Sequence, residues 1–291
     1  MKVLITGATG GIGRALIEVF YRNGWEILAV GRNENILKEL KEKYKEKLSI
    51  YPTDMGNEEN IDILFKELDG MCIELLINGA GIGELGYFEE VSYEDEKNMI
   101  DINITALLKF TKYFYGKAEG IINISSTAGF QYGGPLMSGY YATKAFVNSF
   151  TFGLIGEKGK TRMMLLCPGP TLTNFKGVNK ELKGSAKFYT TTPEEVAEKC
   201  YSDYLKGKRV SIPGKINKLL YFFNKMVPIM SQLKTIKKIQ EKKIKKSFIF
   251  VEKWYNNFYR KGDTNEEKTY IPVCNYGSFH RMYILQSKRS I

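Results

Sequence analysis

The sequence predicts an α/β fold in which helices cover both faces of a doubly wound parallel sheet. Short apolar runs alternate with helical patterns over the first two hundred residues, and glycine-rich or polar stretches follow several of the runs. Strands that alternate with helices pair in parallel through right-handed crossovers. Ligands of such sheets bind outside the carboxyl ends of the strands, which makes the stretches that follow the runs candidate site residues.

Seven short apolar runs are predicted strands of this sheet. They are Lys2–Thr6, Glu26–Val30, Ser49–Tyr51, Ile73–Ile77, Gly120–Ile124, Arg162–Cys167 and Arg209–Ile212. Six intervening segments have helical spacing, and the last begins with proline, which is favoured in a first helical turn. They are Arg14–Asn23, a charged helix that ends near Lys47, Asn57–Leu68, Tyr93–Tyr115, Tyr140–Gly156 and Pro193–Lys206. No repeat or low-complexity linker interrupts the series, so residues 1–213 are predicted to form one domain.

Composition excludes several classes of protein. The chain has 291 residues, 43% of them hydrophobic, and no apolar run approaches the roughly 20 residues that a membrane span needs. The four cysteines (Cys72, Cys167, Cys200 and Cys274) lie far apart, so neither a zinc site nor a disulfide framework is indicated, and a cytoplasmic location is expected. The single histidine, His280, excludes a Ser-His-Asp or Cys-His nucleophile and a multi-histidine metal site, so no metal is expected.

A glycine-rich motif, Thr6–Gly13, follows the first predicted strand. Glycines there allow a tight turn and let backbone N–H groups and the helix N-terminus approach a pyrophosphate. The strand–turn–helix context favours a dinucleotide site, and the alternative is a plain glycine turn. A second match to the G-x-G-x-x-G spacing, Gly81–Gly86, opens no helix and is interpreted as a loop.

Tyr140 and Lys144 stand four residues apart on a predicted helix, so they lie on one face within mutual reach. An ammonium beside a phenol stabilises the phenolate. Moving a tyrosine from its reference pKa of ~10 to near neutrality takes about 4 kcal/mol. Taken alone, this spacing is very common, and an ordinary Tyr–Lys pair on a helix surface is the favoured interpretation.

Other polar residues stand at predicted strand ends or on an adjoining helix. Ser126, Asn78 and Thr173 each follow a predicted strand. Asn103 lies in the middle of a predicted helix, where an amide is a mediocre helix former. Because the carboxyl ends of parallel strands share one edge of the sheet, this order of elements favours one common site over coincidence.

With these motifs in this order, the sequence resembles the short-chain dehydrogenase/reductase family, in the branch with T-G-x-x-x-G-x-G and Y-x-x-x-K. The resemblance runs from Met1 to about Gly214. It implies a single-domain Rossmann-type fold that transfers a hydride between a nicotinamide cofactor and a carbonyl or alcohol substrate. It also implies that Tyr140 is the general acid/base, and that Lys144 lowers the pKa of this tyrosine and binds the nicotinamide ribose. Ser126 would hydrogen-bond the substrate oxygen, and Asn103 would hold the water that relays the proton through Lys144.

The same resemblance implies the cofactor contacts. They are Gly7, Thr9, Gly11, Ile12, Gly13, Arg32, Asp54, Asn78, Ala80 and Thr173. Thr173 falls where the family contacts the cofactor carboxamide, and Asp54 where it contacts the adenine. The family's serine is the second residue after the last aliphatic residue of its strand, which selects Ser126 over Ser125.

The chain departs from the family pattern at three places. Asn78–Gly81 replaces the commoner Asn-Asn-Ala-Gly, and the stretches Tyr115–Gly120 and Leu154–Thr161 are shorter than usual. The two short stretches weaken the expectation of the usual paired-helix dimer interface, so a homo-oligomer stays an open expectation.

The end of the second strand predicts the choice of cofactor. An acidic residue there would accept a hydrogen bond from the 2′-hydroxyl of NAD and repel a 2′-phosphate. Gly31 stands at that position and Arg32 follows it. A guanidinium binds phosphate with two parallel hydrogen bonds, so NADP (NADPH) is favoured over NAD. The alternative is a solvated surface arginine.

Positive charge is concentrated near the C-terminus. The formal net charge is +11, and residues 206–261 hold sixteen basic against two acidic residues. Residues 214–261 are predicted to form a basic amphipathic extension. It could dock peripherally on an anionic membrane surface, bind nucleic acid, or cover the substrate cleft or a subunit contact. Nucleic acid is the least favoured of these, and no nucleic-acid partner is expected. Residues 262–291 show no pattern, and a poorly ordered tail is expected.

Residues 174–192 are predicted to form a loop over the substrate. Phe175, Phe188 and Tyr189 within it are suited to an apolar ligand, or pack against the body of the protein. The predicted function is therefore NADPH-dependent reduction of a ketone on an apolar or acyl-type small molecule, similar to the 3-oxoacyl reductase-like members of the family. The alternative is a non-catalytic dinucleotide-binding regulator or scaffold, although a protein without catalysis does not need four filled catalytic positions.

Overall fold

The computed structural model of the chain describes residues 1–173, 175, 190–224, 226–259, 272–275 and 278–281. Seven strands form one sheet, and every neighbouring pair in it is parallel. The strands are β1 (Lys2–Thr6), β2 (Glu26–Gly31), β3 (Leu48–Pro52), β4 (Leu75–Asn78), β5 (Gly120–Ile124), β6 (Arg162–Leu166) and β7 (Val210–Ser211). Their order is β3-β2-β1-β4-β5-β6-β7. The predicted doubly wound parallel sheet is confirmed.

Helices connect the strands and cover the sheet. They are α1 (Gly11–Arg22), α2 (Glu34–Tyr44), α3 (Glu58–Glu67), α4 (Tyr93–Ile100), α5 (Leu107–Phe114), α6 (Ser138–Glu157) and α7 (Pro193–Leu205), followed by α8 (Lys215–Asn224) and α9 (Ile229–Tyr259). Alternate residues of a strand point to opposite faces. Because the strands are apolar at both sets of positions, both faces of the sheet are apolar. Val3 and Ile5 belong to the buried cluster that contains Phe20 of α1. Leu4 belongs to a second cluster, which contains Phe110 of α5.

The topology creates a switch point between β1 and β4. From β1 the chain builds outwards to β3 and then crosses back to place β4 on the other side of β1. The loops that follow β1 and β4 therefore leave the sheet side by side and diverge to opposite faces. Such a point is where doubly wound sheets bind their ligands.

The long helix predicted over Tyr93–Tyr115 is interrupted. Residues Asp101–Ala106 form a π-helical segment between α4 and α5, and Asn103 lies in its middle. Wide turns of this kind are uncommon and are found frequently at functional sites.

The C-terminal extension forms two helices rather than one, α8 and α9, separated at Pro228. Beyond them, β8 (Pro272–Asn275) and β9 (Ser278–Arg281) pair antiparallel, in a range for which the sequence predicts no regular element. The other residues of 262–291 lie outside the described part of the chain. Within the described part, no helix combines the length and the apolar character that crossing a bilayer requires.

Candidate active site

A cleft of about 2170 Å³ opens along the carboxyl ends of the strands. Twelve of the fourteen predicted site residues line it. They are Gly7, Thr9, Gly11, Ile12, Gly13, Arg32, Asp54, Ala80, Ser126, Tyr140, Lys144 and Thr173. The other two, Asn78 and Asn103, are buried beside it.

The glycine motif forms the floor of the cleft at the switch point. Gly7 has a left-handed backbone with a φ of +69°, and a Cβ there would lie 2.6 Å from the carbonyl oxygen of Gly79. Helix α1 begins at Gly11, before the predicted start at Arg14, because its first turn is built from the motif glycines. Gly10 caps it without a side chain, and its first turn contains no acidic residue. An uncapped helix N-terminus with open backbone binds phosphate readily, so the residues fit a dinucleotide.

Thr6 holds the two loops of the switch point together. Its hydroxyl oxygen accepts hydrogen bonds from the backbone N–H groups of Gly79 (3.0 Å) and Ala80 (3.1 Å). The sequence analysis did not assign a role to this residue, although it is the first residue of the glycine motif. Its function depends on a contact across more than 70 residues, which the local pattern does not reveal.

The Asn78 side chain does not line the cleft, and its predicted contact with the cofactor stays a prediction. Its side chain is 2% exposed. The amide nitrogen donates to the Thr111 hydroxyl (3.0 Å) and to the Asn123 side-chain oxygen (2.9 Å). Asn78 is the last residue of β4, and its side chain points towards α5 and β5 rather than towards the open edge. It therefore links the sheet to its covering helix.

Arg32 and Asp54 stand at the edge of the cleft where β2 and β3 end. Arg32 is exposed, and Asp54 is half-buried with its carboxylate accepting a hydrogen bond from the Gly56 N–H (3.1 Å). A Cβ on Gly31 would lie 2.9 Å from the Thr9 side chain. An acidic side chain therefore does not fit at position 31 without a shift of Thr9, which leaves Arg32 as the charged group at this strand end.

Tyr140 and Lys144 lie on the same face of α6, as predicted. The Lys144 ammonium is 5.9 Å from the centroid of the Tyr140 ring. Lys144 is buried, and its Nζ donates to the backbone carbonyl of Ile124 at the end of β5 (3.2 Å). The two side chains thus point together into the cleft.

Burial dominates the protonation of this pair. It raises the pKa of Tyr140 to about 12, opposed by a hydrogen bond from Ser126. It also lowers the pKa of Lys144 to about 8. Both shifts favour the neutral forms, because desolvation penalises charge. The opposing hydrogen bond comes from Ser126 and not from Lys144, and the predicted lowering of the Tyr140 pKa by Lys144 stays a prediction.

The two serines after β5 have different surroundings. Ser125 is buried, and its hydroxyl donates to the Lys144 backbone carbonyl (3.0 Å). Ser126 lines the cleft beside Tyr140, and its oxygen accepts from the Ala128 N–H (3.1 Å), which fixes its orientation. Both serines line the cleft, but the Ser125 hydroxyl is bonded to Lys144 whereas Ser126 hydrogen-bonds Tyr140. The role of Ser126 stays a prediction.

Asn103 ties three parts of the site together. Its side-chain oxygen accepts from the Ile82 N–H (2.9 Å), and its amide donates to the Ile82 carbonyl (2.8 Å) and to the Thr143 hydroxyl (3.0 Å). Thr143 in turn donates to the backbone carbonyl of Tyr140 (2.9 Å). The amide is therefore committed to protein partners, and it positions the loop after β4 against the helix that carries Tyr140.

Thr173 and Phe175 close the cleft from the loop after β6. A Cβ on Gly11 would lie 2.7 Å from the Thr173 methyl group, so this loop rests on the first turn of α1. The Phe175 ring lies 5.5 Å from the Tyr140 ring. Phe188, Tyr189 and the rest of the predicted substrate loop up to residue 189 lie outside the described residues.

The C-terminal extension forms another wall, which the sequence analysis left as one of three alternatives. The Tyr221 ring of α8 lies 4.5 Å from that of Phe130, and the Gln240 side chain of α9 hydrogen-bonds the Tyr141 hydroxyl. The residues of the two helices and their connection that line the cleft are Asn217, Leu220, Tyr221, Val227, Gln232, Thr235, Ile236, Ile239, Gln240 and Lys243. Over these residues the extension covers the cleft. The charge pattern could not show this, because the contacts join segments about 100 residues apart.

Fold and site together define a dinucleotide-binding oxidoreductase with a Tyr–Lys pair. A family model described as short chain dehydrogenase matches residues 1–183. The chain belongs to this family, as its motifs predicted, and is an oxidoreductase of CH–OH and C=O groups.

Several characterised proteins are similar to this chain. The NADP-dependent 3-hydroxy acid dehydrogenase YdfG of Escherichia coli (strain K12) is 34% identical over 217 residues, which cover 68% of this chain and 86% of that protein. Sulfoacetaldehyde reductase 2 of Chromohalobacter salexigens is 33% identical and covers 67% of this chain and 85% of its own length. A short-chain dehydrogenase from Sphingobium yanoikuyae, solved in complex with NADPH, matches with a TM-score of 0.66 and 26% identity, over 72% of this chain and 87% of that one.

Proposed function

We propose that this protein reduces a ketone with NADPH, acting on an apolar or acyl-type substrate. The observation that carries the proposal is the position of Tyr140, which stands in the cleft with Lys144 on one side and the Ser126 hydroxyl on the other. A phenol in this position reaches a carbonyl oxygen that Ser126 also contacts. The raised pKa of Tyr140 keeps the proton on the phenol, so the residue is present in the acid form that a proton donor needs.

Each side chain of the site has a separate role in the proposed reaction. When bound, the nicotinamide cofactor supplies the hydride. Ser126 orients the substrate oxygen, and Tyr140 donates the proton to it. Lys144, held by the Ile124 carbonyl, lies where the nicotinamide ribose is expected and replenishes the proton. The Asn103 side-chain amide already hydrogen-bonds Ile82 and Thr143. The water of the proton relay would therefore be held by the backbone carbonyl of Asn103, which lies in the π-helical turn.

The acyl-type substrate is supported by the walls of the cleft and by one relative. Tyr141, Tyr221, Ile236 and Ile239 give the cleft an apolar side next to Tyr140. The name of the Escherichia coli relative refers to 3-hydroxy acids, and reduction of a 3-oxoacyl compound places a hydroxyl at the same carbon. The oxidation of NADPH with a panel of simple ketones, 3-oxo acids and 3-oxoacyl thioesters tests the proposal. Turnover of none of these by the purified chain would contradict it.

NADP is the proposed cofactor because of Arg32. Replacing Arg32 with Ala is expected to raise the KM for NADPH by about tenfold or more, since the guanidinium is the group placed to bind the 2′-phosphate. The KM for NADH, which has no such phosphate, is expected to stay within about twofold and serves as the internal control. Steady-state kinetics with both cofactors measures this. Equal increases for the two would contradict the assignment of Arg32 to the 2′-phosphate, and no increase in either would assign Arg32 to the solvent.

We also propose that the extension contacts anionic membranes peripherally. Eight large apolar side chains are exposed within fifteen residues of α8 and the start of α9. They are Ile216, Leu219, Leu220, Phe223, Met226, Val227, Ile229 and Met230. Residues 206–240 contain no acidic residue, and the exposed lysines Lys215 and Lys218 flank the apolar surface. Apolar side chains beside lysines are the pattern that binds the interface of anionic bilayers.

Pelleting with lipid vesicles tests this contact. The chain is expected to pellet with phosphatidylserine-containing vesicles at low salt, and less at moderate salt, because salt screens the lysines. The double variant Leu219→Ser, Phe223→Ser is expected to lower the bound fraction at least about tenfold, since it removes apolar area. Ile63→Ser, which removes an exposed apolar side chain of α3, is the matched control. Binding that no vesicle composition changes, or that Ile63→Ser lowers equally, would contradict the proposal.

A further inference from the structure

The exposed apolar surface of the C-terminal extension continues into the edge of the cleft. Three exposed apolar residues of the extension also line the cleft, and we call them the apolar rim. They are Leu220, Val227 and Ile239, which are 45%, 40% and 44% exposed. The residue before each of them is exposed and does not line the cleft; these are Leu219, Met226 and Lys238. The apolar rim therefore lies where the outer surface meets the cleft.

The loop after β5 places an exposed aromatic side chain beside α9. Tyr132 is exposed, and Gln131 before it lines the cleft. A Cβ on Gly133 would lie 3.6 Å from the Leu233 side chain, so this loop packs against α9. Tyrosine is enriched at the interface between a bilayer and water, because its ring is apolar and its hydroxyl is polar.

Apolar side chains continue from the apolar rim to the proposed proton donor. Ile236 lines the cleft and lies three residues before Ile239, on the same side of α9. Tyr141 also lines the cleft, and its ring lies 6.1 Å from that of Tyr140. An apolar chain can therefore extend from the rim to the hydroxyl of Tyr140.

Charge favours an anionic lipid surface over a second copy of this chain as the partner of the apolar rim. Lys215, Lys218, Lys234 and Lys238 are exposed on the two helices, and residues 206–240 contain no acidic residue. Anionic lipids attract such lysines, whereas two copies of this surface would bring like charges together.

We propose that the cleft opens onto the bilayer, so that the enzyme takes a ketone dissolved in the membrane directly into its active site. The inference rests on the proposed ketone reduction and on the proposed membrane contact. Each methylene group that passes from lipid into water lowers the equilibrium concentration about fourfold. A rim that lies in the lipid avoids this step, so the substrate class is a ketone with a long apolar chain.

The experiment places enzyme and substrate in the same vesicles or in different ones. The substrate is the methyl ester of a long-chain 3-oxo acid, reduced by the full chain with NADPH at low salt. Each reaction contains phosphatidylserine vesicles, which bind the chain, and pure phosphatidylcholine vesicles, and only one kind carries the ester. The initial rate is expected to be at least about tenfold higher when the phosphatidylserine vesicles carry it. Equal rates would show that the ester arrives through water and would overturn the inference.

Variants separate entry of the substrate from its reduction. The double variant Leu219→Ser, Phe223→Ser is expected to lose the advantage of the shared vesicle. Its kcat/KM for a short, water-soluble ester is expected to be unchanged, because neither residue lines the cleft. Ile63→Ser is the matched control and is expected to behave as the wild type. An equal loss on both esters in the double variant would overturn the inference.

Failure of the membrane contact and failure of the reaction have different signatures. A chain that reduces the short ester but binds no vesicle overturns the inference and leaves the reaction intact. If the wild type reduces neither ester, the proposed reaction fails, and entry is tested without turnover. A long-chain ketone that carries a diazirine on its chain is then photolysed in phosphatidylserine vesicles with the NADP-loaded protein. Label on Tyr141 or Ile236, located by mass spectrometry, supports entry, and its absence from both overturns it.

Discussion

Replacement of Tyr140 by Phe is expected to lower kcat for ketone reduction by about 10²- to 10⁴-fold, the range that a general acid contributes. The change removes only the hydroxyl, because the ring keeps its contacts with Phe175 and Tyr141. The KM for NADPH and the free energy of unfolding are expected to be unchanged. Stopped-flow or steady-state oxidation of NADPH measures the effect on kcat.

The neighbouring residue provides a matched control. Tyr141→Phe removes a phenol hydroxyl one position away, where it hydrogen-bonds Gln240 rather than facing Ser126. Its kcat is expected to stay within about tenfold of the wild type, since the proton donor remains in place. If Tyr140→Phe turned over ketones at the wild-type rate, the assignment of the proton donor would be wrong. The alternative of a non-catalytic dinucleotide-binding scaffold would then gain support.

Replacement of Gly7 by Ala is expected to lower the free energy of unfolding by about 2–5 kcal/mol. A side chain in the left-handed region costs about 1–2 kcal/mol, and overpacking against a rigid neighbour adds about 1–3 kcal/mol. At Gly7 both apply, since φ is +69° and the new Cβ would lie 2.6 Å from the Gly79 carbonyl oxygen. Denaturant unfolding followed by circular dichroism measures the loss. The NADPH affinity is expected to fall as well, because the two loops of the switch point separate.

A substitution at Gly24 separates the cost of the left-handed backbone from the cost of overpacking. Its φ is +85°, and a Cβ there would meet nothing within 4 Å. Gly24→Ala is therefore expected to lose only the backbone term of about 1–2 kcal/mol. An equal loss of stability in the two variants would show that the close approach of the β1 and β4 loops contributes little.

The catalytic helix shows which properties of the site the local sequence pattern predicts. A spacing of four residues places Tyr140 and Lys144 on one helical face wherever the helix lies, so their proximity could be predicted. Their protonation could not, because the pKa of each depends on burial by segments distant in the sequence. Asn103 was identified as unusual from its position in a helix. Its actual partners, Ile82 and Thr143, became evident only from the packed structure.

The strand ends show the same limit. The end of β4 was predicted correctly to within a residue, yet the Asn78 side chain hydrogen-bonds Thr111 and Asn123 rather than lining the cleft. Successive residues of a strand point to opposite faces, and the local sequence does not show which of the two faces Asn78 presents to the covering helix. The C-terminal extension could be predicted less well. Its charge pattern was compatible with docking on a membrane, binding a nucleic acid or covering the cleft.

Periodic apolar runs, a glycine turn after the first strand and the Tyr–Lys spacing determined the fold class and the catalytic helix, because each of these properties depends only on neighbours along the chain. Tertiary structure alone decided that α9 covers the cleft, that Lys243 rather than Lys242 faces it, and that Thr6 joins the loops of β1 and β4. These contacts join residues about 70 to 100 positions apart. Their free energy comes from burial and hydrogen bonding across the assembled sheet, which leaves no periodic trace in the local sequence.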